Sequence, residues 1–553
     1  MRKIIIIIVP LLLNTSYSYS EEIITINNDT LYSKEKLKKK IKDSIKENNH
    51  LKNNFYLDKL KKNSPNEVDL NKFNTIKKDI IFPKNKIENI KDNKKTEYIS
   101  IYDILSYSFD NNYSPPYQVV GISVRDKNIY SLPNINNYKK LRSLEVLRCK
   151  LNDISSLFYV YDLKDLKTLS FKMNNIINVD KSISNLTSLE SLDLSYNKIT
   201  DLPDSISKLI NLKELSLEYQ YDNEKYYLTK IPFSIFTLKN LETLDLSRNP
   251  IENIPTDIKN LESLKEITIQ LNNSDDSELK NSLDNLYNLK SLNTLNLNIN
   301  RQVEISEKIQ NMKNLSSLNL SLGYSHFNNV DFDNSSSFIN LSKLSNLRKL
   351  VLFNYLLKYP KEISLLKQIK ELSIFNSTEK DVSNIKELKN LESLKINGSY
   401  SSFPIFINEL SNLKKLDVSV TTSLSKPVND KEFFTKLLEL KYLESLRIGI
   451  DFGLSSSHYY DFNIPRDIGL LKSLKYLEIN NDNLRFLPEE ISNLSNLEEI
   501  FIVTKNYIRI PDSFKKLKNL KKLHLFNIGS INLYNESEKE RIKQILPKTF
   551  IYY

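Results

Sequence analysis

With 553 residues, 40% of them apolar, the chain can bury a substantial core, which excludes wholesale disorder. A single Cys excludes an internal disulfide framework, and seven Gly leave no G-x-G-x-x-G or G-x-x-x-x-G-K loop to cradle a phosphate. The net charge of +11 is unevenly placed: residues 21–97 carry 19 Lys against 13 Asp or Glu, more than half of the excess.

In chain order, MRKIIIIIVPLLLNTSYSYSEE places two basic residues before an apolar run from Ile4 to Leu13, then Ser18 and Ser20 ahead of Glu21. That is the layout of a secretory signal peptide over residues 1–20, and the apolar run is too short to span a bilayer. The expectation is export, to a secreted, periplasmic or surface location. Residues 21–97 are rich in Lys and Asn. Leu37, Ile41 and Ile45 fall at helical spacing, but the apolar mass is too small for a stable core. Two readings of this segment stay open: a solvated spacer, or an arm making weak contact with an anionic surface. Residues 98–118, with Ile101, Ile104, Leu105 and Pro115-Pro116, read as an N-terminal cap.

From Val119 the chain is periodic. LESLDLSYNKITDLP (Leu189 to Pro203) and LETLDLSRNPIENIP (Leu241 to Pro255) share the frame L-x-x-L-x-L-x-x-N-x-I-x-x-L-P. Copies begin at Val119, Leu144, Leu166, Leu189, Leu212, Leu241, Leu264, Leu292, Leu315, Leu347, Ile369, Leu391, Leu413, Leu443, Leu474, Leu497 and Leu520, mostly 22 or 23 residues apart. The period-two core of the frame predicts a short strand with Leu244 and Leu246 inward and Asp245 and Ser247 outward. The Asn at the ninth position (Asn174, Asn197, Asn249, Asn272, Asn300) is suited to backbone groups that lack strand partners, because an amide both donates and accepts. The proline opens a helical segment. By the same alignment Cys149 falls on the inward strand position, as a small hydrophobe rather than a nucleophile.

This frame over 119–536 resembles the leucine-rich repeat family. The resemblance implies an α/β solenoid: a curved horseshoe with a short-stranded parallel sheet on the concave face and helical or irregular segments on the convex face. It also implies similarity to secreted and surface leucine-rich repeat proteins of bacteria, some of which engage host proteins. The L-P-x-x-I-x-x-L unit is similar as well to intracellular Ras-associated repeat proteins. Beyond the array, residues 537–553 read as a C-terminal capping helix and tail, with Ser537 and Glu540 as its capping box and Ile542, Ile545 and Leu546 as its apolar face. LPKTF (Leu546 to Phe550) lacks the glycine, the apolar span and the basic tail of a sorting signal, so no anchor is expected there.

If the frame is scaffold, function belongs to the positions it leaves free. Outward candidates are Arg148, Lys172, Tyr196, Tyr219, Arg248, Phe353, Phe375, Arg447, Phe501 and Phe526, because Tyr, Phe and Arg concentrate binding energy at interfaces. Longer steps start at Leu212, Leu264, Leu315, Leu413 and Leu443, and three of them carry aromatic loops: Tyr221, Tyr226 and Tyr227 in the first, Tyr324, His326 and Phe327 in the third, His458, Tyr459 and Tyr460 in the last. These loops are expected either to project as a binding rim or to fold onto the convex layer. His50, His326, His458 and His524 are scattered, and DFG at Asp451 to Gly453 stands without the other kinase motifs. No catalytic residue, metal site or cofactor is expected. The partner expected is a protein, of a host cell or of the envelope, rather than a nucleic acid or a small-molecule substrate.

Overall fold

The computed structural model describes residues 98–100, 120–125, 135, 138–152, 163–323, 334–353, 359–378, 382–399, 403–421, 430–451, 464–527 and 533–553. The expected signal peptide, the basic segment 21–97 and all of the expected cap except Tyr98–Ser100 lie outside them. The chain divides into two compact units, Met1–Ser170 and Phe171–Tyr553.

In the first unit, β1 (Tyr98–Ser100), β2 (Gly121–Arg125), β3 (Ser143–Leu147) and β4 (Thr168–Ser170) pair in parallel, one strand per coil. Ile122, Leu144 and Leu169 are buried in register, so Leu144 is the fourth residue of its copy and that copy begins at Leu141, not at Leu144. The inward strand position expected for Cys149 belongs to Val146. Cys149 lies five residues beyond Leu144, as Asn174 lies five beyond Leu169. It is buried at the end of the strand, with Sγ 3.5 Å from the Leu147 carbonyl. Two inward leucine-like residues follow Leu141 with the same spacing in either alignment, which is why a three-residue slip was invisible in sequence.

In the second unit the ladder runs in chain order and all pairs are parallel. It begins with β5 (Ser191–Asp193), β6 (Glu214–Ser216), β7 (Thr243–Ile251), β8 (Glu266–Leu271) and β9 (Thr294–Ile299). It continues through β10 (Ser317–Leu322), β11 (Lys349–Phe353), β12 (Glu371–Thr378), β13 (Ser393–Ser399) and β14 (Lys415–Thr421). It ends with β15 (Ser445–Asp451), β16 (Tyr476–Asn481), β17 (Glu499–Thr504), β18 (Lys522–Asn527) and β19 (Phe550–Tyr552). The alternation of the frame puts the fourth and sixth residues of each coil on one side of the sheet, where Leu192, Leu194, Leu244 and Leu246 are buried. Opposite them, short 3₁₀ helices follow the prolines. Pro203, Pro232 and Pro255 sit just before the first helical residue and accept from the N–H three residues on, as in Ile206 N to Pro203 O at 3.0 Å. Ile206, Leu209 and their equivalents close the core from that side.

Side chains tie each coil to the one before it. Asn211, Asn240, Asn314, Asn346, Asn390, Asn412, Asn496 and Asn519 each donate to a carbonyl of the preceding coil at 2.8–3.1 Å. At strand entry, opposite charges alternate from coil to coil: Glu190 with Lys213, Glu242 with Lys265, Lys370 and Lys414 about Glu392, Glu444 with Lys475, Glu498 with Lys521. Such pairs are individually weak at the surface, yet alternation forbids the like-charge contacts that a slipped stacking would create.

Among the described residues, the buried amide ladder at the ninth position runs through the early coils. Asn197 Nδ2 donates to Leu194 O and Ser195 O of its own coil (2.9 and 3.1 Å) and to Phe171 O of the coil before (3.0 Å), while its Oδ1 accepts from Ile176 N at 3.1 Å. Asn249 repeats this against Leu217 O and Gln220 N, both at 2.7 Å. Gln220, which the frame does not mark, fills the same place between them, donating to Leu194 O and accepting from Ile199 N at 2.9 Å each. Asn272 and Asn300, by contrast, are exposed and bond each other (Nδ2 to Oδ1, 3.0 Å). Their strands continue one step further, burying Leu271 and Ile299 and turning the next residue outward.

Three of the longer steps fold into the helical layer. α1 (Asp276–Leu286) buries Leu279, Leu283 and Leu286; α2 (Ser335–Ser342) buries Phe338 and Leu341; α3 (Asp430–Leu437) buries Phe433, Phe434 and Leu437. Hydroxyls on α1 and α2 take over backbone groups of the preceding coil: Ser282 accepts from Ile254 N at 3.1 Å and Ser337 from Ile305 N at 2.9 Å. α4 (Glu536–Ile545) starts two residues earlier than the expected capping box. Asn535 caps it, accepting from Glu538 N at 2.9 Å, and Ile542 and Leu546 are buried. The tail then returns as β19 beside β18, a strand the sequence pattern does not announce.

Candidate functional site

At the eighth position of the early coils the backbone is left-handed. φ is 59° at Met173, 56° at Tyr196, 54° at Tyr219 and 59° at Arg248, and Arg148 in the first unit has 51°. Non-glycine residues rarely adopt this conformation. It follows the short strands β4, β5 and β6 and interrupts β7, throwing the side chain outward, and beneath Met173, Tyr196, Tyr219 and Arg248 the amide at the ninth position is buried.

In the second unit this brings Tyr196, Tyr219 and Arg248 together at the strand ends. The Tyr196 and Tyr219 rings meet edge to face at 5.2 Å. The loop after Gln220 folds back over them as a small hairpin, with Tyr221 and Tyr226 bridged in antiparallel fashion. Tyr221 lies 5.3 Å from Tyr219 and 4.6 Å from Tyr226, ring centre to ring centre, and Tyr226 lies 6.4 Å from Tyr219. The rings fill the space between one another, so the cluster is a platform and not a cage with room for a ligand cation. Tyr226 is 45% exposed. No hydrogen bond engages the hydroxyls of Tyr219, Tyr221 or Tyr226 among the described residues.

Two carboxylates hold the platform from below. Glu218 accepts from the Tyr196 hydroxyl at 2.9 Å and lies 3.6 Å from Arg248 Nε and 4.0 Å from Lys172 Nζ. Burial, and then this bond to Glu218, raise the Tyr196 phenol above its ordinary value, so it stays a donor. Asp222 accepts from the Tyr227 hydroxyl at 2.6 Å and from Glu224 N and Lys225 N at 2.9 and 3.2 Å, with Lys198 3.1 Å away. The Tyr227 bond, followed by the backbone donor of Glu224, pushes Asp222 well below the carboxylate range, and Tyr227 is raised in return. Arg248 Nη1 donates to the Tyr196 oxygen at 3.0 Å, and its guanidinium lies 5.8 Å from the Tyr219 ring centre.

The remaining aromatic candidates form two further stations. Phe353 on β11 and Phe375 on β12 stack at 4.2 Å with planes 5° apart, and Lys395 sits 5.5 Å over Phe375. On β17, Phe501 stacks on His524 at 3.7 Å, which stacks in turn on Tyr552 at 4.4 Å. Phe501 is thus largely occupied by its own neighbours. Between these stations Lys395, Asp417, Arg447 and Glu478 alternate in charge across β13 to β16, with contacts of 2.8, 3.8 and 2.9 Å. At about 4.8 Å per strand the centres of successive stations lie roughly 25–30 Å apart along the sheet. Tyr324, His326, Phe327, His458, Tyr459 and Tyr460 lie outside the described residues. The frame conceals Glu218, Asp222, Lys198 and Tyr552. Among the described residues no group of three or more His, Cys, Asp or Glu is placed to hold a metal ion, and no helix is long and apolar enough to cross a membrane.

The one-strand-per-coil ladder is accompanied by a match of residues 118–351 to the leucine-rich repeat region family. Residues 118–351 are a leucine-rich repeat region, and the fold is that of a leucine-rich repeat solenoid. Comparison with curated proteins finds no match. Among solved structures, a leucine-rich repeat protein of Leptospira interrogans is 27% identical, covering 77% of this chain and 93% of its own, with a TM-score of 0.45. An internalin of Listeria monocytogenes is 18% identical over 74% of this chain and 87% of its own, TM-score 0.32. The leucine-rich repeat ectodomain of a plant membrane receptor kinase from Arabidopsis thaliana, solved with Casparian strip integrity factor 2, is 19% identical over 74% of this chain and 53% of its own, TM-score 0.36. In this solenoid the scaffold residues point inward, and the tyrosine platform is what the repeat leaves toward solvent.

Proposed function

We propose that the protein is an exported, non-catalytic scaffold that captures a protein partner through the outward face of its repeats, with the platform of Tyr196, Tyr219, Tyr221, Tyr226 and Arg248 as its principal anchor, in adhesion or host interaction. The observation that carries this reading is a cluster of four contacting tyrosine rings, three with hydroxyls unengaged among the described residues, two of them on the left-handed turns of successive coils and two on the hairpin folded over those turns. Tyrosine offers large contact area and a polar tip at low entropic cost, and tyrosine and arginine dominate interface hot spots. Export rests on the layout of residues 1–20.

The test is capture from host-cell and envelope extracts by wild type and by the triple variant Tyr219→Ser, Tyr221→Ser, Tyr226→Ser, with circular dichroism confirming that both are folded. Loss of capture in the variant is expected, and undiminished capture would overturn the site. Mass spectrometry of the protein from its native source should find an N-terminus near Glu21. An intact Met1 on a protein retained in the cytoplasm would instead favour the intracellular scaffold that the L-P-x-x-I-x-x-L unit also resembles.

A further inference from the structure

The charges around the platform are sorted by exposure. Its two carboxylates are turned inward and saturated: the side chains of Glu218 and Asp222 are 19% and 20% exposed, and each is shared among a phenol, a cation and further donors. The cations are carried on ring faces at the perimeter. Lys172 lies 5.1 Å over Tyr196, Lys225 lies 4.9 Å over Tyr227, and Arg248 lies beside Tyr219 with its side chain 61% exposed. With Nη1 on the Tyr196 oxygen and Nε toward Glu218, the Nη2 edge of the Arg248 fork has no partner among the described residues. Glu224, at the hairpin tip beside Lys225, is the exposed carboxylate of the patch.

From this we infer that the platform's partner is an acidic peptide segment carrying apolar side chains, its carboxylates meeting Arg248, Lys172 and Lys225 while its apolar groups lie on the tyrosine rings. The argument is charge complementarity: a partner approaching the rings meets cations before it meets Glu218 or Asp222. An arginine fork preset by Glu218 and Tyr196 suits a carboxylate, and cations stacked on rings keep their charge outward. A continuous phosphate backbone fits less well, because three acidic side chains lie within a patch that has only four cations, Lys172, Lys198, Lys225 and Arg248. The inference rests on the proposed role of the platform and adds the chemistry of what it holds.

Fluorescence anisotropy on the full chain tests it, using a dye-labelled peptide of alternating Glu and Leu, its Lys-Leu counterpart, and oligothymidylate. The Glu-Leu peptide should bind at least about tenfold more tightly than the Lys-Leu peptide, with affinity falling as salt rises. The double variant Arg248→Gln, Lys225→Glu should reduce that affinity about tenfold, and the triple tyrosine variant should lose it. Failure of the Glu-Leu peptide to bind, equal or tighter binding of the Lys-Leu peptide, or tighter binding of oligothymidylate would each overturn the acidic-peptide assignment. Such a result combined with loss of extract capture in the tyrosine variant leaves the platform standing with a partner of different chemistry. Retention of both activities in the tyrosine variant would remove the platform itself.

Discussion

The early coils of the second unit, through Asn249, and the later coils, from β8 onward, share one sequence frame and end their strands in opposite ways. In the first group strands such as β5 and β6 are three residues long, the eighth residue is left-handed and half-buried or exposed, and the ninth is a buried amide. In the second group Leu271, Ile299, Leu322, Val420 and Ile450 are buried at the eighth position of strands six or seven residues long. Leu, Ile or Val at the eighth position extends the alternation by a step; Met, Tyr or Arg followed by an amide ends it. β7 joins the two modes, spanning left-handed Arg248 and shifting register between Leu246 and Ile251. The difference teaches that the tyrosine platform depends on early strand termination, which carries the eighth side chain away from the sheet.

Substitutions at equivalent positions should break this comparison. The largest effect is expected from Ile299→Gly, which removes a fully buried side chain from an extended strand; a loss of about 4 kcal/mol is anticipated in denaturant unfolding. Asn197→Leu should cost on the order of 3 kcal/mol, since Phe171 O, Leu194 O and Ile176 N would be left buried without their partner, and hydrogen exchange should show faster opening in those coils first. Met173→Gly should act in the opposite direction to Ile299→Gly. It relieves a left-handed non-glycine residue that is already partly exposed, and a gain of about 1 kcal/mol is expected; a loss comparable to that of Ile299→Gly would refute the division between the two coil types.

The smallest effect concerns the alternating charges at strand entry. Hydrogen bonds from Lys414 and then Lys370 lower Glu392 from the ordinary 4.5 to about 2. A carboxylate lowered on folding contributes stability that is fully present above its unfolded value and is lost as pH falls from about 4.5 toward 2. Glu392→Gln should therefore lower stability slightly near neutrality, where the ion pairs are intact, and the difference from wild type should vanish as pH falls through that window. Because the group is at the surface, high salt should erase the difference.

The frame made the repeat, the parallel sheet and the inward leucines legible, because those depend on periodicity along the chain. The amide ladder was legible where Asn197 and Asn249 occupy the ninth position. It was misread at Asn272 and Asn300, where Leu271 and Ile299 one place earlier override it. Gln220 was missed because its longer side chain does the same work under another letter. Cys149 was displaced by three residues because Leu141 and Leu144 serve equally well as a starting leucine by spacing alone. Of the site residues, Tyr196, Tyr219 and Arg248 were identified as outward, but as strand-face residues, whereas a positive φ places them on the turn.

By itself the sequence determined which residues could not bind a partner: the leucines, isoleucines and prolines of the frame are committed to the core and its turns by their spacing. Only the tertiary structure decided which of the remaining residues meet. Tyr196 and Arg248 are 52 residues apart and hydrogen-bonded, and Glu218 serves both, because stacking converts equal positions in successive coils into neighbours a strand spacing apart. Whether a given eighth residue joins them is settled by the competition between burying it on a longer strand and burying the amide that follows it.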